Sequence, residues 1–145
     1  MLTIKTALQY AVSKNADVVN LSMGFIDVNA SLYDYLDSTI DKAYNRGIPI
    51  CCAAGNGEGG SKGVDVRYCY PACYSKTIAV SAIDSSRQLA NYSNRGSAID
   101  FTAPGSGIVS AYYKGNFATM SGTSMAAPHI TAAIAYLKMM QSNLS

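Results

Sequence analysis

One histidine is all that this chain of 145 residues contains. Its four cysteines, Cys51, Cys52, Cys69 and Cys73, do not fall into ligand spacing. With His129 alone to help them, a zinc centre is not expected. Charge is also scarce, at 14% of residues, and 11 basic against 9 acidic side chains leave a net charge of +2. That balance offers no footing for nucleic acid or an anionic membrane as partner. No apolar run approaches the ~20 residues of a membrane-spanning helix. The opening Met1-Leu-Thr-Ile-Lys5 reads as amphipathic helix, not as the basic start and apolar stretch of a secretory signal. Internal repeats, low-complexity tracts and linkers are missing too, so residues 1–145 read as part of one domain. At 49% hydrophobic, the chain has the material for a sizeable core.

What is present is organised around Met120-Ser-Gly-Thr-Ser-Met-Ala-Ala-Pro-His129. This is a tight glycine-containing turn that delivers Ser124 onto the first turn of a helix. Pro128 suits that first turn, where its missing N–H would have no partner anyway. Ala126, Ala127, Ala132, Ala133 and Ala135 follow, with Ile130, Ile134 and Leu137 among them. So small-sided and uncharged a helix is expected to be buried, and His129 with it. A hydroxyl at its N-terminus lies among free backbone N–H groups at the positive end of the helix dipole. That suits a nucleophile whose attack creates an oxyanion.

The remainder alternates helix and buried strand. Leu2, Ile4, Ala7, Leu8, Ala11 and Val12 form a helical stripe over residues 2–14. Ala16–Gly24 reads as a strand ending in glycine. Residues 31–46 form a second helix, with Ser31 and Asp34 as a capping box, Leu32, Tyr35, Leu36, Ile40 and Ala43 as its apolar face, and Gly47 as its stop. Ile48–Gly55 is the next strand, followed by the glycine-rich loop Gly55–Gly60. Residues 61–76 read as irregular. Thr77–Ile83 and Asp100–Gly105 are further strands, joined by a polar connection over 84–96, and Ile108–Tyr113 is a candidate strand. This order predicts an α/β fold with a parallel sheet. Gly24, Asn56 and Pro104-Gly105 then lie at strand C-terminal ends, where open α/β sheets bind ligands. Cys51 and Cys52 point to opposite faces of their strand. For Cys69 and Cys73, a disulfide and two free thiols both remain open.

The string GTSMAAPH closely resembles the nucleophile motif of the subtilisin-like serine proteases, the subtilases. The likeness extends through Ala53-Ala-Gly-Asn56, Ser22-Met-Gly24, TIAVSAID and DFTAPG, and covers nearly the whole chain in the family's order. It implies a subtilisin-like parallel β-sheet flanked by helices, incomplete at the N-terminus, and a serine-type endopeptidase acting on polypeptide substrates. Ser124 would be the nucleophile. Asn56, which on residues alone is most simply a turn residue, would donate its amide to the oxyanion together with the Ser124 N–H. Ser22, Met23, Gly24, Ala53, Ala54, Gly55 and Thr123 would border the substrate, with the Ser22–Gly24 edge pairing an extended peptide. Cys69 would lie near the floor of the specificity pocket, where glycine would leave more room.

The resemblance also shows what is missing. A subtilase triad runs Asp, His, Ser along the chain, and no histidine precedes Ser124. His129 lies about 7.5 Å along the helix axis from Ser124 and over a third of a turn round, out of reach of its hydroxyl. It reads as a packed helix residue. Asp17, Asp34, Asp37, Asp41, Asp84 and Asp100 all lack the right context. Asp100 resembles a position at a weak cation site, but Ala98 stands where its acidic neighbour is expected, so no metal and no cofactor is predicted. The resemblance assigns the catalytic Asp, the catalytic His and about three strands to an absent N-terminal part. Without those strands Val18–Leu21 becomes an open edge. The partner expected is therefore that missing part or a complementing chain, as in a split enzyme. A non-catalytic peptide-binding relic is the other reading. An esterase elbow is not met, because Gly122-Thr-Ser-Met-Ala126 ends in alanine and too little chain follows it.

Overall fold

The computed structural model describes residues 2–26, 33–60 and 62–140. Helix α1 (Leu2–Ser13) buries Leu8 and Val12. It ends where Asn15 turns left-handed (φ 51°) and Ala16 N–H reaches Ala11 O. Strand β1 (Val19–Leu21) is shorter than its apolar run suggests, because Ser22–Gly24 leave the sheet. Strand β2 (Phe25–Ile26) follows. Helix α2 (Tyr33–Asn45) buries Leu36, Ile40 and Ala43. Gly47 (φ 66°) stops it, with Gly47 N–H on Tyr44 O and Ile48 N–H on Ala43 O. The Ser31 end of the expected capping box lies outside the described residues.

Strands β3 (Ile50–Ala53), β5 (Ile78–Ile83) and β6 (Phe101–Pro104) complete one parallel sheet with β1, in the order β1-β3-β5-β6. All four residues of β3 are buried, as an inner parallel strand requires. Between β3 and β5, Cys69–Tyr70 form β4 and pair antiparallel with β2. The segment read as irregular therefore contains a strand. Its pairing is only two residues long, too short to leave a periodic signal. Strand β7 (Ile108–Ala111) lies outside the parallel sheet and forms an antiparallel hairpin with β8 (Phe117–Met120). All four cysteines are free thiols.

Helix α3 (Thr123–Met140) packs on β1, β3, β5 and β6 from one face of the sheet, while α1 and α2 pack together on the other. Ile50, Cys52 and Ala79 face α1 and α2; Ala53, Val80, Ala82 and Ala103 face α3, where they meet Ala126 and Ala127. The contact on α3 is made of small side chains. A Cβ on Gly105 would lie 2.5 Å from that of Ala82 and 3.3 Å from that of Ala126.

Two expectations are overturned here. α3 is not a buried helix: Thr123, Ala126 and Ala127 are buried, but Tyr136, Leu137, Met139 and Met140 are 62%, 52%, 83% and 65% exposed. His129 is exposed as well. The physical reason is one-sided packing. The sheet covers the inner side of α3, and among the described residues nothing covers the outer side. Pro128 is also not in the first turn, since α3 already begins at Thr123. Its missing N–H leaves the carbonyl of Ser124 without a helical partner.

The close α3–sheet contact gives a stability prediction. Ala126→Leu should overpack it and destabilise the chain by about 1–3 kcal/mol. Ala133→Leu, on the exposed side, should change stability by no more than about 0.5 kcal/mol. Urea unfolding of both variants measures the contrast, and equal effects would contradict one-sided packing.

Candidate active site

The turn ahead of α3 is fixed by Gly122 N–H on Gly105 O at 2.8 Å. Ser124 follows in the first helical turn, where its backbone N–H has no helical acceptor. The carbonyl of Ser124, freed by Pro128, accepts the Ser22 hydroxyl at 2.8 Å. In return the Ser124 hydroxyl donates to Ser22 O at 3.1 Å. Asn20 Nδ2 holds Ser22 Oγ at 2.8 Å, and Thr131 Oγ1 donates to Asn20 Oδ1 at 2.9 Å. Ser22 is thus tied to the nucleophile candidate through both of its oxygens.

Asn56 stands between Gly55 (φ 98°) and Gly57 (φ 66°), two left-handed positions that side chains rarely adopt. Its Oδ1 accepts the Thr123 backbone N–H at 2.8 Å and the Thr123 hydroxyl at 3.0 Å. Thr123 Oγ1 in turn accepts Gly55 N–H at 3.0 Å, so its own proton must go to Asn56. Two donors on one oxygen settle which way the amide lies. Nδ2 is left facing away from Thr123, beside Gly122. A Cβ on Gly122 would approach that nitrogen to 3.2 Å. Among the described residues, the Asn56 Nδ2 amide and the Ser124 N–H have no acceptor, and each adjoins one end of the Thr123 contact.

A cleft of about 630 Å³ opens in front of them. Met23, Gly24, Ala53, Gly55, Asn56, Thr123 and Ser124 all line it. Ser22 borders it only through its bonds to Ser124. Ala54 stands apart, fully buried, with its N–H on Val80 O and its carbonyl on Asn94 Nδ2. Phe25, Ile26 and the glycines at 57, 59 and 60 also line the cleft and were not singled out in the sequence. The glycine run at 55–60 signals the last three, and Phe25 and Ile26 carry no signal. Asn94, buried beneath the Asn56 loop, carried no signal, because its partners are remote in sequence.

Cys69 closes the cleft from below. Its sulfur would lie 2.8 Å from a Cβ on Gly55 and 3.5 Å from one on Gly24, so it fills the space that these two glycines leave. Burial, and then the neighbouring Cys73, raise its pKa to about 11 against a hydrogen bond from Asn94. At neutral pH it is a neutral thiol and so a weak nucleophile beside the candidate Ser124.

A second groove, of about 360 Å³, reaches Ser124 between β7 and α3 and is lined by Ile108, Val109, Met125, Pro128, His129 and Ala132 among others. His129 borders it, yet its Nδ1 donates to Met125 O at 2.9 Å and no hydrogen bond joins it to Ser124. Among the described residues, no group of three or more His, Cys, Asp or Glu gathers to hold a metal ion.

A family model described as the subtilase family matches residues 1–145. The chain is 41% identical over 134 residues to subtilisin amylosacchariticus of Bacillus subtilis subsp. amylosacchariticus, covering 92% of this chain and 34% of that protein. It is 39% identical over 131 residues to the minor extracellular protease Epr of Bacillus subtilis (strain 168), covering 90% of this chain and 19% of that protein. Among solved structures, a cold adapted subtilisin-like serine proteinase superimposes with a TM-score of 0.85 at 31% identity, over 98% of this chain and 49% of that one. The chain thus spans a fifth to a half of the lengths of these proteins.

The raised Cys69 pKa carries a linkage prediction. A thiol that ionises near 9.0 when free and near 11 when folded contributes stability that is complete below pH 9 and is lost as the pH rises towards 11. Urea midpoints between pH 8 and 11 should fall with pH, and fall less in Cys69→Ala. Identical pH slopes in the two proteins would show that Cys69 is not held as a neutral thiol.

Proposed function

The chain belongs to the subtilase family, and on that premise we propose that it is the nucleophile-bearing part of a serine endopeptidase. In this reading Ser124 attacks the scissile carbonyl of a polypeptide. The Ser124 N–H and Asn56 Nδ2 receive the oxyanion, and the strand ends at Ser22–Gly24 and Ala53–Gly55 bind the substrate backbone and the side chain beside the scissile bond. The observation that carries the proposal is the pair of hydrogen bonds from Thr123 to Asn56 Oδ1, which leaves Nδ2 beside Gly122 at the cleft that Ser124 also lines.

The base and its carboxylate come, we propose, from a polypeptide segment outside these 145 residues. In this chain the Ser124 hydroxyl donates its hydrogen bond to a backbone carbonyl, Ser22 O, which is far too weak a base to take the proton. The groove between β7 and α3 also reaches Ser124 and would give such a segment a second way to it beside the cleft. The exposed outer side of α3 and the outer edge of β1, the first strand of the sheet, offer apolar surface and backbone donors to such a segment.

Two measurements test this. A serine-directed fluorophosphonate should leave the chain unlabelled. It should label Ser124 once the chain is complemented with the part of a full-length subtilisin that precedes the matched region, and Ser124→Ala should abolish that labelling. Labelling of the isolated chain at Ser124 would refute the need for an external base. In the complemented enzyme, Asn56→Ala should lower kcat by about 10²–10³-fold with little change in KM, a magnitude taken from a subtilisin rather than from this chain's geometry. An unchanged kcat would remove Asn56 from the proposed oxyanion hole.

A further inference from the structure

We propose that Asn94 is a positioning residue that sets the aim of the Asn56 amide. This rests on the reading of Asn56 as an oxyanion donor. Asn94 is fully buried and lies in the connection between β5 and β6. Its side chain donates to Ala54 O at 2.7 Å and accepts Gly57 N–H at 2.9 Å. Its backbone N–H donates to Gly55 O at 2.9 Å. Three bonds from one residue therefore hold both flanks of Asn56, two before it and one after it.

The remaining capacity of the side chain is also used. Oδ1 accepts a second N–H, from Val64 at 2.9 Å, and the amide meets the Cys69 sulfur. Asn94 is itself anchored to the sheet, since Ser81 Oγ on β5 donates to its carbonyl at 2.7 Å. The route from β5 to the Asn56 loop is thus a run of direct hydrogen bonds with no exposed member.

The loop needs such a hold. Gly55 and Gly57 carry no side chain to pack and have wide backbone freedom. Gly55 cannot be anything larger, because a Cβ there would lie 2.5 Å from Asn94 Nδ2. The same glycines that admit Asn94 would leave Asn56 loose without it. Thr123 orients the amide from the α3 side, and Asn94 fixes the backbone from the sheet side. A donor displaced by about 1 Å from a developing oxyanion costs on the order of 10²-fold in rate.

The test reads position first and activity second. In the isotope-labelled chain, the Asn56 side-chain amide protons should show a nuclear Overhauser contact to the Gly122 α-protons. Asn94→Ala should lose that contact while the β3–β5 contact between Cys52 and Ala79 persists. If the Asn56–Gly122 contact survives in Asn94→Ala, the proposal is overturned. Should Asn94→Ala fail to fold, Asn94→Asp is read by the same criterion; it keeps both acceptor bonds and loses donation to Ala54 O and to the Cys69 sulfur. In the complemented enzyme, Asn94→Ala should lower kcat about 10- to 100-fold with KM within about twofold. On an Asn56→Ala background the further loss should be under about threefold, because the two residues act as a unit. Equal losses on both backgrounds would reduce Asn94 to a general structural role and overturn the inference. A complemented wild type that hydrolyses nothing, beside a lost Asn56–Gly122 contact, would sink the protease reading and leave the positioning role standing.

Discussion

One side-chain oxygen joins the two halves of this site. Asn56 Oδ1 takes the backbone N–H and the hydroxyl of Thr123, a residue 67 positions further along the chain. A helix begins with N–H groups that have no partner inside it, and a neighbouring Ser, Thr, Asp or Asn commonly accepts one of them. Here that acceptor arrives from another strand end. The bond that caps α3 is therefore also the bond that turns the Asn56 amide, so helix start and donor direction cannot vary independently. Ser124 is the next residue after Thr123, which extends the same constraint to the hydroxyl.

The second constraint is the close approach of α3 to the sheet. It is set by alanine and glycine, and it brings Ser124 down to Ser22 at the end of β1. There Pro128 and Ser22 make one arrangement: a proline inside the helix removes a donor, and a serine hydroxyl from the strand replaces it. Ser22 then has its carbonyl beside the Ser124 hydroxyl. The Ser22 backbone and the Ser124 hydroxyl are held together by the same pair of residues. The cost of so thin a contact is that α3 buries little else of itself, which leaves its Tyr136, Leu137, Met139 and Met140 side in water.

How much of this the sequence discloses follows from range. The four parallel strands are legible because each is a short apolar run, three of them closed by glycine or proline and β5 by the polar Asp84-Ser85-Ser86, and the start of α3 is legible because its motif is contiguous. The pairing of Phe25–Ile26 with Cys69–Tyr70 is not, since two residues make no period. Strand β8 escapes for a related reason: Met120 reads as the entry to the turn, and its partner is Ile108. The outer side of α3 misleads because composition reports what a helix is suited to touch, and this chain brings nothing described to touch it. Asn94 looks like any residue of a polar connection. Only the fold brings it under Ala54 and Gly57, 40 and 37 positions away.

These pieces separate two tasks that a serine protease performs together. Stabilising an oxyanion needs donors held in advance, and the bonds that hold the two proposed donors are internal to the chain: Thr123 to Asn56, Gly57 to Asn94, Gly122 to Gly105. Activating the hydroxyl needs a base that accepts its proton, and the acceptor here is a peptide carbonyl. A carbonyl can orient the hydroxyl but cannot deprotonate it. An incoming imidazole would have to displace Ser22 O as acceptor of the Ser124 hydroxyl, and that neutral hydrogen bond has a net worth of about 1 kcal/mol. That is a small obstacle beside the differential interaction a positioned base supplies. The resting bond therefore orients Ser124 without trapping it. On the proposed reading, Asn56 and the Ser124 N–H need not move to admit a base, because none of the bonds that hold them involves the Ser124 hydroxyl.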